Sequence, residues 1–276
     1  MASIESRHAL GSKKEASSPP EESSFDKLKR LVDLIKVKIA EGDMTSTDLM
    51  LATKEVIHVD LSDERDNCDE IFKDVTGITH SLLDYGHYPA ALFMVSVGGK
   101  ICETFSDPNI KIIRLSDCGQ FAHIMVERIC LANKNCEIGG YGLRLMQQLC
   151  NRTKAVDTDS ILLKAHFLCK ILSQIGTCYL CINNFEHAAK YFSEALETNT
   201  NMFGQRAKEF AITGACCYQV GECYRFMQKF DKAAELFERS IEMYEGALDV
   251  EEEEKRKCIN LSQDKLRKLC ARDFLG

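Results

Sequence analysis

One pattern of glycine, tyrosine, alanine and phenylalanine occurs twice in the last third of the chain, with the same spacing each time. The two copies are, in chain order, Gly176, Tyr179, Ala188 and Phe192, then Gly221, Tyr224, Ala233 and Phe237. Corresponding residues of the two copies lie 45 positions apart. Because several residue types agree at fixed offsets, the pattern predicts a structural unit that is repeated.

The spacing inside each copy is typical of two antiparallel helices joined by a short turn. The glycine and the alanine are small residues that let two helices approach closely, and the aromatic residues would fill the layer between them. The predicted turns are 183–184 and 228–229, and each is followed by a phenylalanine, Phe185 or Phe230, that would close the hairpin. The chain contains only 4 prolines, which favours long uninterrupted helices because proline removes a helical hydrogen bond.

Over residues 164–248 this pattern resembles the tetratricopeptide repeat, a family of helical hairpins. Leu172 and Cys217 occupy the place of the large first residue of the family pattern. The period of 45 residues exceeds the ~34 of the common repeat, and longer repeats of this kind are similar to those of kinesin light chains and related adaptors. The resemblance implies an all-α fold in which antiparallel hairpins stack as a superhelix, since one hairpin cannot bury its own apolar face.

Apolar residues recur at three- and four-residue steps in much of the earlier chain, which predicts further helices. We expect them near 25–39, 46–59, 62–83, 89–105, 118–133 and 137–151. Residues 106–117 contain Pro108 and are predicted to be a long connection, in which Ile110–Ile113 could form a strand. The pairs Tyr88/Ala91 and Ile138/Tyr141 resemble the starts of the later second helices, so we expect about four hairpins.

These observations divide the chain into four predicted regions. Residues 1–23 form a disordered polar tail, and residues 24–163 form degenerate hairpins of the same kind. Residues 164–248 form the two recognisable hairpins, and residues 249–276 form a C-terminal capping helix. In that helix the apolar residues Ile259, Leu261, Leu266 and Leu269 are expected to cover the last repeat.

Composition limits the partners and the compartment. The net charge is −7 and no long basic run is present, which argues against binding to nucleic acid or to an anionic membrane surface. The sequence shows neither a signal peptide nor an apolar run near the ~18–20 residues that span a bilayer, so we expect a cytoplasmic protein without membrane insertion. The 14 cysteines are then expected to be reduced thiols.

No catalytic, cofactor or metal motif stands out, and we expect none of these sites. Cys178 and Cys181 form a C-x-x-C pair inside a predicted repeat helix, whereas a redox pair needs the start of a helix. His166 and Cys169 lie one turn apart on the same helix, and a zinc site would need further ligands at compatible spacing. Cysteines of the next hairpin could approach them, but small buried thiols are the simpler interpretation.

Proteins that this chain resembles bind peptides or helices in a concave groove lined by the first helix of each hairpin. The matching candidates for partner contacts are Lys170, Ser173, Thr177, Tyr218, Glu222 and Arg225. Each could equally be an ordinary exposed helix residue. The resemblance implies a non-catalytic adaptor or scaffold that binds one or more proteins. The alternatives are a chaperone-associated co-factor, for which Thr177 and Glu222 replace expected neutral or amide groups, and a cysteine-based metal-binding protein.

Overall fold

The structure is a computed structural model that describes residues 24–41, 68–131 and 136–273. Within these ranges there are α-helices, one 3-10 helix and no strand. The 3-10 helix, Gly204–Glu209, lies between α7 and α8. The α-helices are α1 Ser24–Glu41, α2 Cys68–Asp84, α3 Tyr88–Thr104, α4 Pro108–Leu131, α5 Cys136–Ala155, α6 Ile161–Cys181, α7 Phe185–Phe203, α8 Ala211–Phe226, α9 Phe230–Gly246 and α10 Glu252–Asp273.

Consecutive helices pack as hairpins, α2 with α3, α4 with α5, α6 with α7 and α8 with α9. Each hairpin also contacts the next one, and α10 packs on α9 at the end of the stack. The main cluster of buried apolar residues extends from Leu28 of α1 to Cys217 of α8. The prediction of an all-α stack of helical hairpins is therefore confirmed.

Three of the hairpins turn in the same way. The middle residue of each turn, Gly86, Asn183 or Gln228, has a positive φ of 75°, 56° and 60° respectively. The next residue in each case donates its backbone N–H to the carbonyl of the residue five positions earlier, as His87 does to Leu82 at 2.8 Å. Such left-handed ends satisfy carbonyls that the last helical turn would leave unpaired. The α2–α3 hairpin thus shares the turn geometry of the two repeats found in the sequence.

The repeat glycines lie where the two helices of a hairpin approach most closely. A Cβ atom added at Gly176 would lie 2.9 Å from the ring of Phe192, and one added at Gly221 would lie 3.0 Å from the ring of Phe237. Both phenylalanines are almost fully buried. The glycine and the phenylalanine of one repeat are therefore packing partners, which explains why they recur together.

The connection predicted over 106–117 is wrong, because α4 begins at Pro108 and continues through the segment considered as a strand. Asp107 accepts hydrogen bonds from the backbone N–H groups of Asn109 and Ile110, at 2.7 and 3.4 Å. Proline at the first helical position has no N–H that needs a partner. Asp107 and Pro108 together therefore begin a helix, so the proline marks a helix start and not a connection.

Other differences concern helix ends and one exposed side chain. Helix α5 extends to Ala155 rather than ending near 151, and α10 extends from Glu252 to Asp273. Leu261 is 47% exposed, so its predicted place in the cap interface is wrong, whereas Leu269 is 8% exposed and packs with Ala233 and Phe237. The helix predicted at 46–59 and the tail at 1–23 lie outside the described residues.

Helix α6 is long and apolar enough to cross a membrane by length and composition, the one such helix among the described residues. The expectation that no segment reaches this threshold is therefore wrong. In its most apolar window 44% of the residues are buried inside the protein. Ile171, Leu172 and Ile175 have no exposed surface. The interior helix of a helical stack meets the same criterion, so the hydropathy is weak evidence for a membrane span.

Candidate functional site

The candidate contact residues lie on α6 and α8, the first helices of the two sequence-identified hairpins. Lys170, Ser173 and Thr177 of α6 are all half-buried. The hydroxyl of Thr177 donates to the backbone carbonyl of Ser173 at 3.1 Å. The Ser173 hydroxyl lies 3.7 Å from the thiol of Cys216 on α8. The α6 part of the surface is therefore a row of short polar groups next to α8.

On α8 the predicted residues form a charged cluster together with the capping helix. Glu222 accepts hydrogen bonds from the Nε and Nη2 atoms of Arg225, at 2.8 and 3.0 Å. It also accepts one from the Nζ atom of Lys265 on α10, at 2.8 Å. Glu222 is only 8% exposed, which differs from the exposed helix residue expected from the sequence. The cluster joins the last repeat to its cap.

The electrostatics of Glu222 follow from these contacts. Burial raises the pKa of its carboxyl group, but the hydrogen bonds and positive charges of Arg225 and Lys265 more than offset burial, so the pKa lies below its usual value. The hydrogen bond to Glu222 in turn raises the pKa of Arg225. Glu222 and Arg225 are therefore both charged near neutral pH.

Aromatic rings hold Arg225 in place. Its guanidinium lies 4.2 Å from the centroid of the Phe226 ring, and the Phe226 ring stacks on Phe185 at 4.6 Å with 7° between the planes. Tyr218 packs on Phe237 at 5.5 Å, so only part of its ring is available for a partner. Burial raises the pKa of Tyr218 to about 12, which keeps the hydroxyl protonated.

A polar seam between α4 and α6 was missed by the sequence analysis. The amide of Gln174 donates to Gln120 at 2.6 Å, and the Gln174 side-chain oxygen is buried with no hydrogen-bond partner among the described residues. One turn along, the thiol of Cys178 lies 3.6 Å from the Nδ1 atom of His123. Nothing in the local sequence pairs residues that are more than fifty positions apart, so only the packing of α4 on α6 reveals the seam.

The cysteines of the described residues are mainly buried thiols. Burial raises the pKa of Cys216 to about 11 and that of Cys169 to about 12. Cys178 and Cys181 lie inside α6, away from a helix start. No group of three or more His, Cys, Asp or Glu side chains in the described part of the chain is arranged to hold a metal ion. Protonated thiols are poor nucleophiles and poor metal ligands.

A comparison with protein families concerns the α8–α9 hairpin. Residues 215–246 match the family model of the tetratricopeptide repeat. No curated protein matches the chain significantly. Similar solved structures include BtubC (BKLC) from P. vanneervenii, which is 11% identical, with 88% of this chain and 87% of that chain covered and a TM-score of 0.47.

Two further similar structures are filaments. The DHF119 filament is 14% identical, with 90% of this chain and 96% of that chain covered and a TM-score of 0.31. The DHF58 filament is 13% identical, with 92% and 97% covered and a TM-score of 0.22. The resemblance stated from the sequence is confirmed by the family match, which covers α8 and α9.

Proposed function

We propose that this chain, which carries a tetratricopeptide repeat at residues 215–246, is a non-catalytic adaptor or scaffold that holds a peptide or helix of a partner protein. Tetratricopeptide repeats in general mediate protein–protein interaction. The proposed binding surface is the side formed by α4, α6 and α8, the first helices of successive hairpins. Stacked hairpins curve, and the resulting concave surface suits an extended or helical segment.

The observation that carries the proposal is the side-by-side arrangement of half-buried polar groups on α6 and α8. Ser173 lies against Cys216, so the two helices form neighbouring walls of one surface. Lys170 and Thr177 on α6 remain partly exposed, as does Arg225 on α8. Short polar side chains beside a fixed cation are suited to contacts with a peptide backbone and its side chains.

We propose a cytoplasmic location and no catalytic role for the same chain. The cysteines in the described part of the chain are free thiols, which suits that compartment. We do not extend the proposal to a chaperone-associated co-factor, because Thr177 and Glu222 stand where that kind of groove needs amide or neutral groups. Glu222 is moreover already paired with Arg225 and Lys265.

A photo-crosslinking amino acid placed in the groove tests the proposal. It would replace Lys170 on the proposed surface in one variant and Glu238, an exposed residue of α9, in a matched control variant. In cell extract we expect a discrete set of proteins to be captured by the Lys170 variant and not by the control. Equal capture by both variants, when both give the wild-type thermal melt, would show that the partner surface lies elsewhere.

A further inference from the structure

The charged cluster between α8 and α10 has a buried anion and two partly exposed cations. The side chain of Glu222 is 11% exposed, whereas the side chains of Arg225 and Lys265 are 29% and 21% exposed. A carboxylate is therefore enclosed, while the two groups that bind it reach the surface. The arrangement is a site already built around one carboxylate.

The two cations have donor capacity that Glu222 does not use. A guanidinium carries five N–H donors and an ammonium carries three. Arg225 uses its Nε and Nη2 atoms, and Lys265 uses its Nζ atom, for hydrogen bonds to the one carboxylate. The other donors have no acceptor among the described residues. A second carboxylate at this surface would find donors held in position before it arrives.

The local charge also favours an anion. The neighbouring Asp264 pairs with Lys268 at 2.6 Å and also interacts with the positive charges of Arg267 and Lys265. Arg225 and Lys265 share a single carboxylate, so one positive charge is in excess on a chain whose net charge is −7. The Phe226 ring under Arg225 reduces the number of orientations open to the guanidinium and so favours a fixed geometry.

Of the two repeats identified in the sequence, only the second contains the charged residues of this cluster. The positions 45 residues earlier on α6 are Thr177 and Leu180, which carry no charge. The capping helix supplies Lys265, so the cluster also needs α10. A partner that recognises the cluster would therefore contact the end of the stack, across α8 and the cap.

We propose that Arg225 and Lys265 bind side-chain carboxylates of an acidic peptide segment, with Glu222 as a resident carboxylate that aligns the two cations and competes with the ligand. This inference rests on the proposed function, because it names the chemistry of the partner at the α8 side of the groove. It assigns α10 a binding role in addition to its packing role. Two nearby cations stabilise an incoming carboxylate most when they are partly desolvated and held in place.

Binding of three labelled peptides to the full chain tests the proposal directly. The peptides share one glycine–serine sequence and carry glutamate, lysine or glutamine at the same alternate positions, with amidated ends. Fluorescence anisotropy with the full chain should show binding of the glutamate peptide and at least about tenfold weaker binding of the others. Raising the salt from about 50 to about 300 mM should weaken the glutamate complex because screening acts on exposed charges.

Two substitutions should change the affinity in opposite directions. Lys265→Gln removes one cation and should weaken binding of the glutamate peptide about fivefold, whereas Glu222→Gln removes the resident competitor and should strengthen it about threefold. Lys257→Gln is the matched control, because Lys257 is an exposed lysine on the same helix with a side chain that is 71% exposed. That control should leave the affinity unchanged.

Other results would overturn the inference. The first is no binding of the glutamate peptide up to millimolar concentration, and the second is equal binding of the lysine peptide. The third is weaker binding after Glu222→Gln at a temperature where the variant is still folded, as its cooperative helical melt shows. A purely structural role of the cluster predicts the last of these. If crosslinking from Lys170 captures partners while the glutamate peptide fails to bind, the groove function stands and the acidic ligand is wrong. If the glutamate peptide binds but crosslinking from Lys170 is unspecific, the acidic ligand stands and the proposed groove at Lys170 is wrong.

Discussion

At the scale of single residues, the repeat glycines are defined by what lies opposite them. Gly176 faces the ring of Phe192, where an added Cβ would come within 2.9 Å of buried atoms. Gly77 in the interior of α2 has no atom within 4 Å of the same position. Packing therefore requires a glycine at position 176. At position 77 there is room for a larger residue.

These two glycines give opposite predictions for substitution by alanine. Gly176→Ala should lower the free energy of unfolding by about 1–3 kcal/mol, because the added methyl group forces the buried ring to move. Gly77→Ala should raise it by about 0.5–1 kcal/mol, since alanine restricts the unfolded chain and favours the helix. Urea unfolding of both variants measures the difference, and a similar change in both would contradict the packing role of Gly176.

At the scale of helices, the start of α4 depends on one carboxylate. Asp107 caps the helix through the N–H groups of Asn109 and Ile110. Asp107→Ala should destabilise the protein by about 1 kcal/mol, because these donors lose their acceptor at the helix start. Asp107→Asn keeps an acceptor and should stay close to the wild type. Denaturant unfolding checks both, and equal losses would mean that the charge, not the cap, is what matters.

At the scale of the whole molecule, the cluster at Glu222 links the repeat to the cap in a way that depends on pH. The pKa of Glu222 is lowered in the folded protein, so its ionised form adds stability above the usual pKa of about 4.5, and this contribution is lost as the pH falls through the folded value. Glu222→Gln should therefore be less stable than the wild type at pH 7 by about 1–2 kcal/mol.

The difference between wild type and Glu222→Gln should shrink as the pH falls from about 6 to about 3, because the carboxyl group in the wild type also becomes neutral. Unfolding in urea at several pH values measures it. Glu253→Gln is the control, since Glu253 and Lys257 form an exposed pair that should contribute little at any pH. A difference for Glu222→Gln that does not change with pH would show that the negative charge of Glu222 adds no stability.

The sequence by itself determined the helical class and the packing of the last two hairpins. Glycine, alanine and aromatic residues at matching offsets predict a close approach of two helices, and the structure places Gly221 against Phe237 at that approach. Asp107 and Pro108 are also a sequence signal for the start of α4, because aspartate caps a helix and proline fits its first position. Such a helix start can be predicted from sequence when the capping residue and the proline that follows it are considered together.

Only the tertiary structure decided the contacts between hairpins. Glu222 meets Lys265 across 43 residues, and Gln174 meets Gln120 across 54 residues. No periodicity within a helix specifies which face of a distant helix it will touch, because that choice depends on the offset and rotation of whole hairpins in the stack. For that reason Glu222 was predicted as an exposed contact residue, whereas the structure buries it beneath Arg225 and Lys265. The ion pair between Lys265 of the capping helix and Glu222 is likewise not indicated by the sequence of that helix.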